Sequence, residues 1–156
     1  MLRYNSKPVL VQMIRTKAAE EKEKTIVGLS ILEKELFVVT EDSSEVEVYE
    51  LEKFSVSRRW NLKALTYPMD ISACNRNKCI YISDYDGSLS KILRVDENGN
   101  VIKNWSTRDD YGCLSITDEF NVILTVYKKH ALNEYSPKGQ LIRKINLSSD
   151  ARVCHP

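Results

Sequence analysis

The sequence predicts an all-β fold: a partial β-propeller of about three four-stranded antiparallel blades, preceded by a short helical or extended lead-in. Two observations carry this prediction. Strand-like segments recur at a constant spacing along the 156 residues, and each recurrence contains four such segments separated by turn-forming residues. A period of ~40–45 residues with several strands in each unit is typical of propeller blades.

The repeat is clearest in the second strand of each unit. A step of 44 residues leads from Leu36 to Ile80, and a further 44 lead to Leu124. The segments ELFVVTE, KCIYISD and NVILTVY therefore occupy one repeat position. They are apolar on both faces, as expected of a strand covered by a sheet on each side. A parallel α/β sheet would also need crossover helices, and no segment between these strands offers one.

The repeat sets the expected boundaries, with a lead-in at 1–24, blades at about 25–67, 68–111 and 112–147, and the start of a fourth at 148–156. The strands are expected near 26–31, 35–40, 45–50 and 55–61, then 68–73, 79–83, 90–95 and 101–106, then 112–117, 121–127, 131–135 and 140–147. The lead-in is interpreted as helical because Ala18 to Lys24 are strong helix formers, with an extended strand at VLVQMIR as the alternative.

The later part of each unit carries a resemblance to a known family. CIYISDYDG followed by ILRVDENGNVIKNW, then LSITDEFNVILTV and LNEYSPKGQLIRKINL, resembles NHL-repeat propellers, and more narrowly the expanded NHL-like, tripartite-motif-like proteins of invertebrates. The resemblance covers residues ~25–156 and implies six blades, of which this chain supplies three and a start. No RING-type cysteine–histidine cluster precedes them, so the resemblance does not carry over ubiquitin transfer.

Composition excludes several classes of function. The formal net charge is +1, which gives no overall electrostatic case for nucleic acid or an anionic membrane. No apolar run approaches the length of a membrane span, and no secretory signal is recognisable. Four cysteines in a chain of this length do not form a disulfide framework. We therefore expect a cytoplasmic protein with no membrane partner, and leave open whether Cys74 and Cys79 form a disulfide.

No catalytic, metal or cofactor motif stands out. The five glycines match no phosphate-binding loop, and a nucleophile elbow is missing. Asp84-Tyr85-Asp86-Gly87 is interpreted as a tight turn and not a calcium loop. His130 is interpreted as a surface turn residue. We expect no enzyme activity, no metal and no cofactor.

The predicted function is a non-catalytic scaffold that presents one loop face to a protein partner. In propellers, the loops between second and third strands and the links between blades share one face. Tyrosine and arginine are typical contact residues. The candidate partner-binding residues are Asp42, Ser43, Tyr67, Tyr85, Asp86, Arg108, Asp109, Tyr111, Lys128, Lys129 and His130.

Two other functions stay open. The first is RNA binding, which NHL propellers of some tripartite-motif proteins carry out through a basic face. Arg58-Arg59 and Lys128-Lys129 are local basic clusters here. The second is a metal-dependent, lactonase-like hydrolase, for which Asp70 is the inward carboxylate.

A three-blade arc would also leave two sheet faces without a neighbour. We therefore expect a homodimer or further blades, with Phe37 and Val39 exposed on the first blade and Ile123 and Thr125 on the third.

Overall fold

The computed structural model describes residues 25–107, 112–126 and 129–148. The predicted lead-in at 1–24 and the predicted fourth blade beyond Ser148 lie outside these residues.

The described residues form twelve strands in three four-stranded sheets, each in the simple order of its strands along the chain. All neighbouring strands pair antiparallel. The predicted all-β fold with three four-stranded units is confirmed. The first sheet contains β1 (Ile26–Leu32), β2 (Glu35–Thr40), β3 (Glu45–Glu50) and β4 (Ser55–Asn61); the second contains β5 (Tyr67–Cys74), β6 (Cys79–Tyr85), β7 (Ser90–Asp96) and β8 (Val101–Ser106); the third contains β9 (Leu114–Ile116), β10 (Val122–Val126), β11 (Ala131–Tyr135) and β12 (Leu141–Asn146).

The sheets pack face to face through two apolar cores. Between the first and second sheets, Phe37 and Val39 of β2 meet Ile80 and Ile82 of β6. A second core, built around Tyr81 with residues of β9 and β10, lies between the second and third sheets. Buried side chains on both faces of the second sheet explain why the four consecutive residues Cys79 to Ile82 of β6 are all apolar.

A repeated contact joins neighbouring sheets. Trp60 of β4 lies over Gly99, in the turn between β7 and β8, and Trp105 of β8 lies over Gly139, in the turn between β11 and β12. An arginine accompanies each contact, since Arg58 donates to the Glu97 carbonyl and Arg94 to the Pro137 carbonyl. We call each of the two tryptophan–glycine contacts an inter-sheet lock.

The structure corrects the expectation of which side chains face outward. Phe37 and Val39 are fully buried between the first two sheets. Ser30, the partner of Phe37 in the sheet, faces the same way and accepts a hydrogen bond from the Ala73 amide. Since side chains alternate along a strand, Leu29 and Ile31 point away from the second sheet and are 62% and 48% exposed.

The outward face of the third sheet includes the predicted Ile123 and Thr125, but both are only partly exposed. On the outward face of the first sheet, Val38, Glu47 and Tyr49 are buried. Tyr49 donates a 2.5 Å hydrogen bond to Glu47. The exposed apolar surface of this face is therefore concentrated on β1.

Cys74 and Cys79 lie directly opposite each other on β5 and β6, and both are buried free thiols. They pack in the core between the second and third sheets, so the disulfide alternative is not realised. No helix long and apolar enough to cross a membrane occurs among residues 25–107, 112–126 and 129–148.

Candidate functional site

One end of the three sheets collects the loops that were predicted to share a face. The same backbone hydrogen bond recurs there in each sheet: Leu62 donates to Ser44, Thr107 to Ser90, and Leu147 to His130. Each bond ties the residue that follows the fourth strand to the start of the third strand or the residue just before it. We call this end, with its loops at 41–44, 86–89 and around Lys129-His130 and the link at 62–66, the loop face.

A cavity of about 570 Å³ opens on the loop face between the first and second sheets. Its volume lies within the range of small-ligand sites in proteins. The cavity is lined by Thr25, Ile26, Val27, Glu41, Tyr67, Pro68, Met69 and Tyr85.

The two walls of the cavity are equivalent parts of neighbouring sheets. Ile26 pairs with Thr40 in the first sheet, and Pro68 pairs with Asp84 in the second. Asp84 follows Thr40 by 44 residues, and Pro68 follows Ile26 by 42. In both sheets the register then shifts by one residue, which leaves Val27 and Met69 as bulged residues. A bulge re-aims a side chain, and both of these side chains line the cavity.

Hydrogen bonds fix the rim of the cavity. The Glu41 amide donates to the Thr25 carbonyl and closes the first wall. The Tyr85 hydroxyl donates to the Gly87 carbonyl at 2.8 Å, which anchors this ring at the second wall. Tyr67 pairs with Tyr85 across the two strands and is partly exposed. The cavity is thus an apolar cleft with two tyrosines at its mouth.

Among the described residues of the lining, Glu41 is the only charged one. Within the described part of the chain, its carboxylate forms no hydrogen bond or ion pair. The nearby carboxylate of Asp84, in contrast, has partners: it forms an ion pair with Lys91 at 3.1 Å and accepts a hydrogen bond from the Thr66 amide. The cavity therefore carries negative charge that nothing in the described residues neutralises.

The structure brings two of the predicted site residues, Tyr67 and Tyr85, together in this cavity. The others that it describes lie elsewhere on the loop face. Asp42 has a positive φ in the loop after β2, and Ser43 accepts a hydrogen bond from the Glu45 amide. Lys129 and His130 lie in the turn before β11, and His130 is exposed there, as predicted for a turn residue. Arg108, Asp109, Tyr111 and Lys128 lie outside the described residues.

Asp86 belongs to a turn, as the sequence predicts. Its carboxylate accepts from the Ser88 and Leu89 amides and from the Ser88 hydroxyl. These hydrogen bonds, with that from Leu89 the strongest influence, lower the pKa of Asp86 to about 2. The carboxylate therefore stabilises the turn between β6 and β7.

Asp70, the inward carboxylate of the hydrolase alternative, links the three first strands. Its Oδ1 accepts from the Ile71 amide at 2.8 Å, and its Oδ2 accepts from the Leu114 amide of β9 at 2.7 Å. Gly28 of β1 lies against it, and a Cβ there would stand 2.9 Å from Oδ1. Burial raises the pKa of Asp70, and the two amide bonds oppose the rise. No group of three or more potential metal ligands occurs within the described ranges.

The basic pair Arg58-Arg59 is used inside the fold. Arg58 forms a two-pronged ion pair with Glu35 and stacks over Trp60. Arg59 lies 3.6 Å from the buried Glu47 carboxylate. Both positive charges are thus matched by carboxylates of the same sheet.

The site predicted from the sequence does not include Glu41, Val27 or Met69. The glutamate ends an apolar strand, where a charged residue ordinarily marks a loop. Val27 and Met69 are apolar residues typical of a strand. Their side chains line the cavity only because the register shifts at these two positions. The repeat places the segments around Val27 and Met69 at equivalent positions, and this was the only feature of the sequence that could have linked them to one site.

No protein-family model and no curated protein matches this sequence. Among solved structures, it resembles hydrazine synthase of Kuenenia stuttgartiensis, with a TM-score of 0.66 and 11% identity over 91% of this chain and 40% of that chain. Glutaminyl cyclase of Myxococcus xanthus gives a TM-score of 0.63 and 12% identity over 81% and 54%. The WD40 domain of Neurospora crassa Pan2 gives 0.62 and 16% over 76% and 35%.

These similarities concern the fold. The three sheets are propeller-like, and a partial propeller of about three blades is consistent with the likeness. The chain spans about half or less of the length of these solved structures.

Proposed function

We propose that this chain is a non-catalytic binding module, a propeller of the NHL type, that presents its loop face to a protein partner in the cytoplasm. The observation that supports this best is the cavity on the loop face, where Tyr67 and Tyr85 stand at the mouth of an apolar cleft. Partly exposed tyrosines beside a concave apolar surface are typical of the energetic centre of protein interfaces.

The proposal excludes enzymatic turnover by this chain. Asp70, the inward carboxylate that a hydrolase would need, already accepts backbone hydrogen bonds on both oxygens. A hard cation would require several further oxygen ligands around it. Assays with lactone and phosphoester substrates and added divalent metal are expected to give no turnover, and turnover abolished by Asp70→Asn would contradict the proposal.

The binding proposal is tested by selecting peptides from a displayed random library on the folded chain. We expect enriched peptides whose binding is lost in the double variant Tyr67→Ser, Tyr85→Ser. The matched control is Asn98→Ser with Lys138→Ser, which changes exposed turn residues at the opposite end of the sheets. Peptides that bind both variants equally would place recognition away from the loop face.

RNA binding is the alternative function. The pairing of Arg58 and Arg59 with carboxylates removes one of the two basic clusters on which that function would depend. We expect weak binding of single-stranded RNA with a shallow salt dependence. Tight binding at physiological salt that is lost on Lys128→Ala with Lys129→Ala would favour the RNA function.

A further inference from the structure

The cavity on the loop face has the properties of a site for one kind of side chain. Its walls are apolar, with Val27 and Met69 aimed into it by equivalent bulges. Two tyrosines flank its mouth, and one carboxylate, that of Glu41, stands beside them. The complement of such a cleft is a ligand with an aliphatic stem and a positively charged head.

We propose that this cavity binds a lysine or arginine side chain of the protein partner. This inference rests on the proposed binding function and names the chemistry that it recognises. The stem would lie against Pro68 and Met69, and the charged head would face Glu41. Tyrosine rings add a cation–π attraction when a cation lies over them.

The charges around the cavity favour a cation over a neutral group. Lys91, the basic residue at the end of the second sheet, is held by Asp84 and does not compete for Glu41. An anionic ligand would meet the carboxylate of Glu41 and no basic side chain among the described residues of the lining.

The test uses three blocked tripeptides that differ in the central residue: lysine, arginine or norleucine. Norleucine keeps the aliphatic stem and lacks the charge. Binding is followed by NMR through the methyl groups of Met69 and Val27. We expect the two cationic peptides to shift these signals with an affinity several-fold higher than that of the norleucine peptide.

Two charge-matched variants locate the effect. Glu41→Gln is expected to weaken binding of the cationic peptides about two- to fivefold, the range for an exposed ion pair, and to leave the norleucine peptide unchanged. Glu45→Gln removes one negative charge from the exposed start of β3, outside the lining, and is expected to change little. Tyr67→Leu keeps an apolar wall and is expected to reduce the preference for the cation.

Equal affinities for lysine and norleucine peptides would overturn the inference, and so would equal effects of Glu41→Gln and Glu45→Gln. Absence of any shift at Met69 and Val27 with all three peptides would overturn it as well. These results are separable from failure of the binding function. Library peptides that depend on Tyr67 and Tyr85 but are indifferent to Glu41→Gln would retain the binding module and remove its cationic ligand.

Discussion

Trp105 covers Gly139 so closely that a Cβ atom on this glycine would lie 2.7 Å from Cδ2 of the indole. Trp60 covers Gly99 in the same way, with a distance of 2.6 Å to Cγ. Both glycines also have a positive φ, of 79° and 87°, which L side chains rarely adopt. Each inter-sheet lock therefore needs glycine for its backbone conformation and for its lack of a side chain.

Replacing Gly139 by alanine should separate these two requirements when it is compared with Gly87→Ala. Gly87 has a φ of 93°, but a Cβ atom on it would have no neighbour within 4 Å, so alanine there meets only the backbone cost of roughly 1–2 kcal/mol. Gly139→Ala should add about 1–3 kcal/mol because the indole must move. Urea unfolding of both variants measures the difference, and equal losses would show that the contact with Trp105 is easily displaced.

Asp70 should contribute to stability by joining β5 to β9. Asp70→Ala removes the acceptor for the Leu114 amide, and we expect a loss of roughly 1–3 kcal/mol in the free energy of unfolding. Asp70→Asn keeps one oxygen acceptor and should lose less. Denaturant unfolding of the two variants checks this order, and an unchanged stability in both would mean that the inner strands hold together without the carboxylate.

The raised pKa of Asp70 also gives this contribution a pH dependence. A carboxyl group whose pKa is higher in the folded state stabilises the fold fully below its ordinary value of 3.8, and this part is lost as the pH rises through the folded value. The stability deficit of Asp70→Asn relative to the wild type should therefore be larger below pH 3.8 than at neutral pH. A deficit that grows with pH would reverse the sign of the assigned shift.

Asp86 should show the opposite behaviour. Its pKa of about 2 means that its hydrogen bonds to the Ser88 and Leu89 amides persist above the ordinary value of 3.8 and are lost as the pH falls towards 2. Carbon-detected NMR titration of the carboxyl group measures the midpoint. Ser88→Ala removes the hydroxyl bond alone and should raise the midpoint part of the way; a wild-type midpoint near 3.8 would contradict the described turn.

The cysteines should differ in reactivity. Cys74 and Cys79 are buried, and burial raises the pKa of the Cys79 thiol, with the hydrogen bond from Arg94 opposing the rise. Cys113 is partly exposed. Alkylation of the folded chain at pH 8, mapped by mass spectrometry, should modify Cys113 well before the other two. Equal labelling would indicate that the second core opens readily.

Self-association should depend on the exposed apolar residues of β1. Leu29→Ser with Ile31→Ser removes the two side chains that point away from the second sheet, and light scattering should show fewer oligomers with little change in stability. Leu89→Ser is the control, since this leucine is equally apolar and about half exposed but lies in a loop. If Leu89→Ser reduces association as much, the outward face of the first sheet is not the contact surface.

The sequence predicted the sheets well because their signals are local. Alternating apolar residues and turn residues such as Asn98-Gly99 act within a few positions, and the strands of the structure begin and end within about two residues of those expected. Which face of each sheet packs against the next sheet is not determined by residues that are close in sequence. Alternation separates Phe37 and Val39 from Leu29 and Ile31 but does not say which pair meets the next sheet, and our expectation for Phe37 and Val39 was wrong for this reason.

The site was predictable in part for the same reason. Loops at one end of an antiparallel sheet follow from strand order, which brought Tyr67 and Tyr85 into consideration. The cavity itself depends on the bulges at Val27 and Met69, and a bulge is a property of the pairing between strands. No composition signal in either segment distinguishes a bulged residue from a paired one.

The inter-sheet locks give the array of sheets a polarity. In both locks the tryptophan comes from the fourth strand of one sheet and the glycine from the last hairpin of the sheet that follows, so the stack has a tryptophan side and a glycine side. On the third sheet, Arg143 and Ile145 stand two residues apart, as Arg58 and Trp60 do on the first. At the opposite side, the hairpin of the first sheet carries Phe54, with a positive φ, near the position that glycine holds in the other two. A side chain smaller than an indole on the third sheet and a residue larger than glycine on the first make these two surfaces unlike the joints between the described sheets.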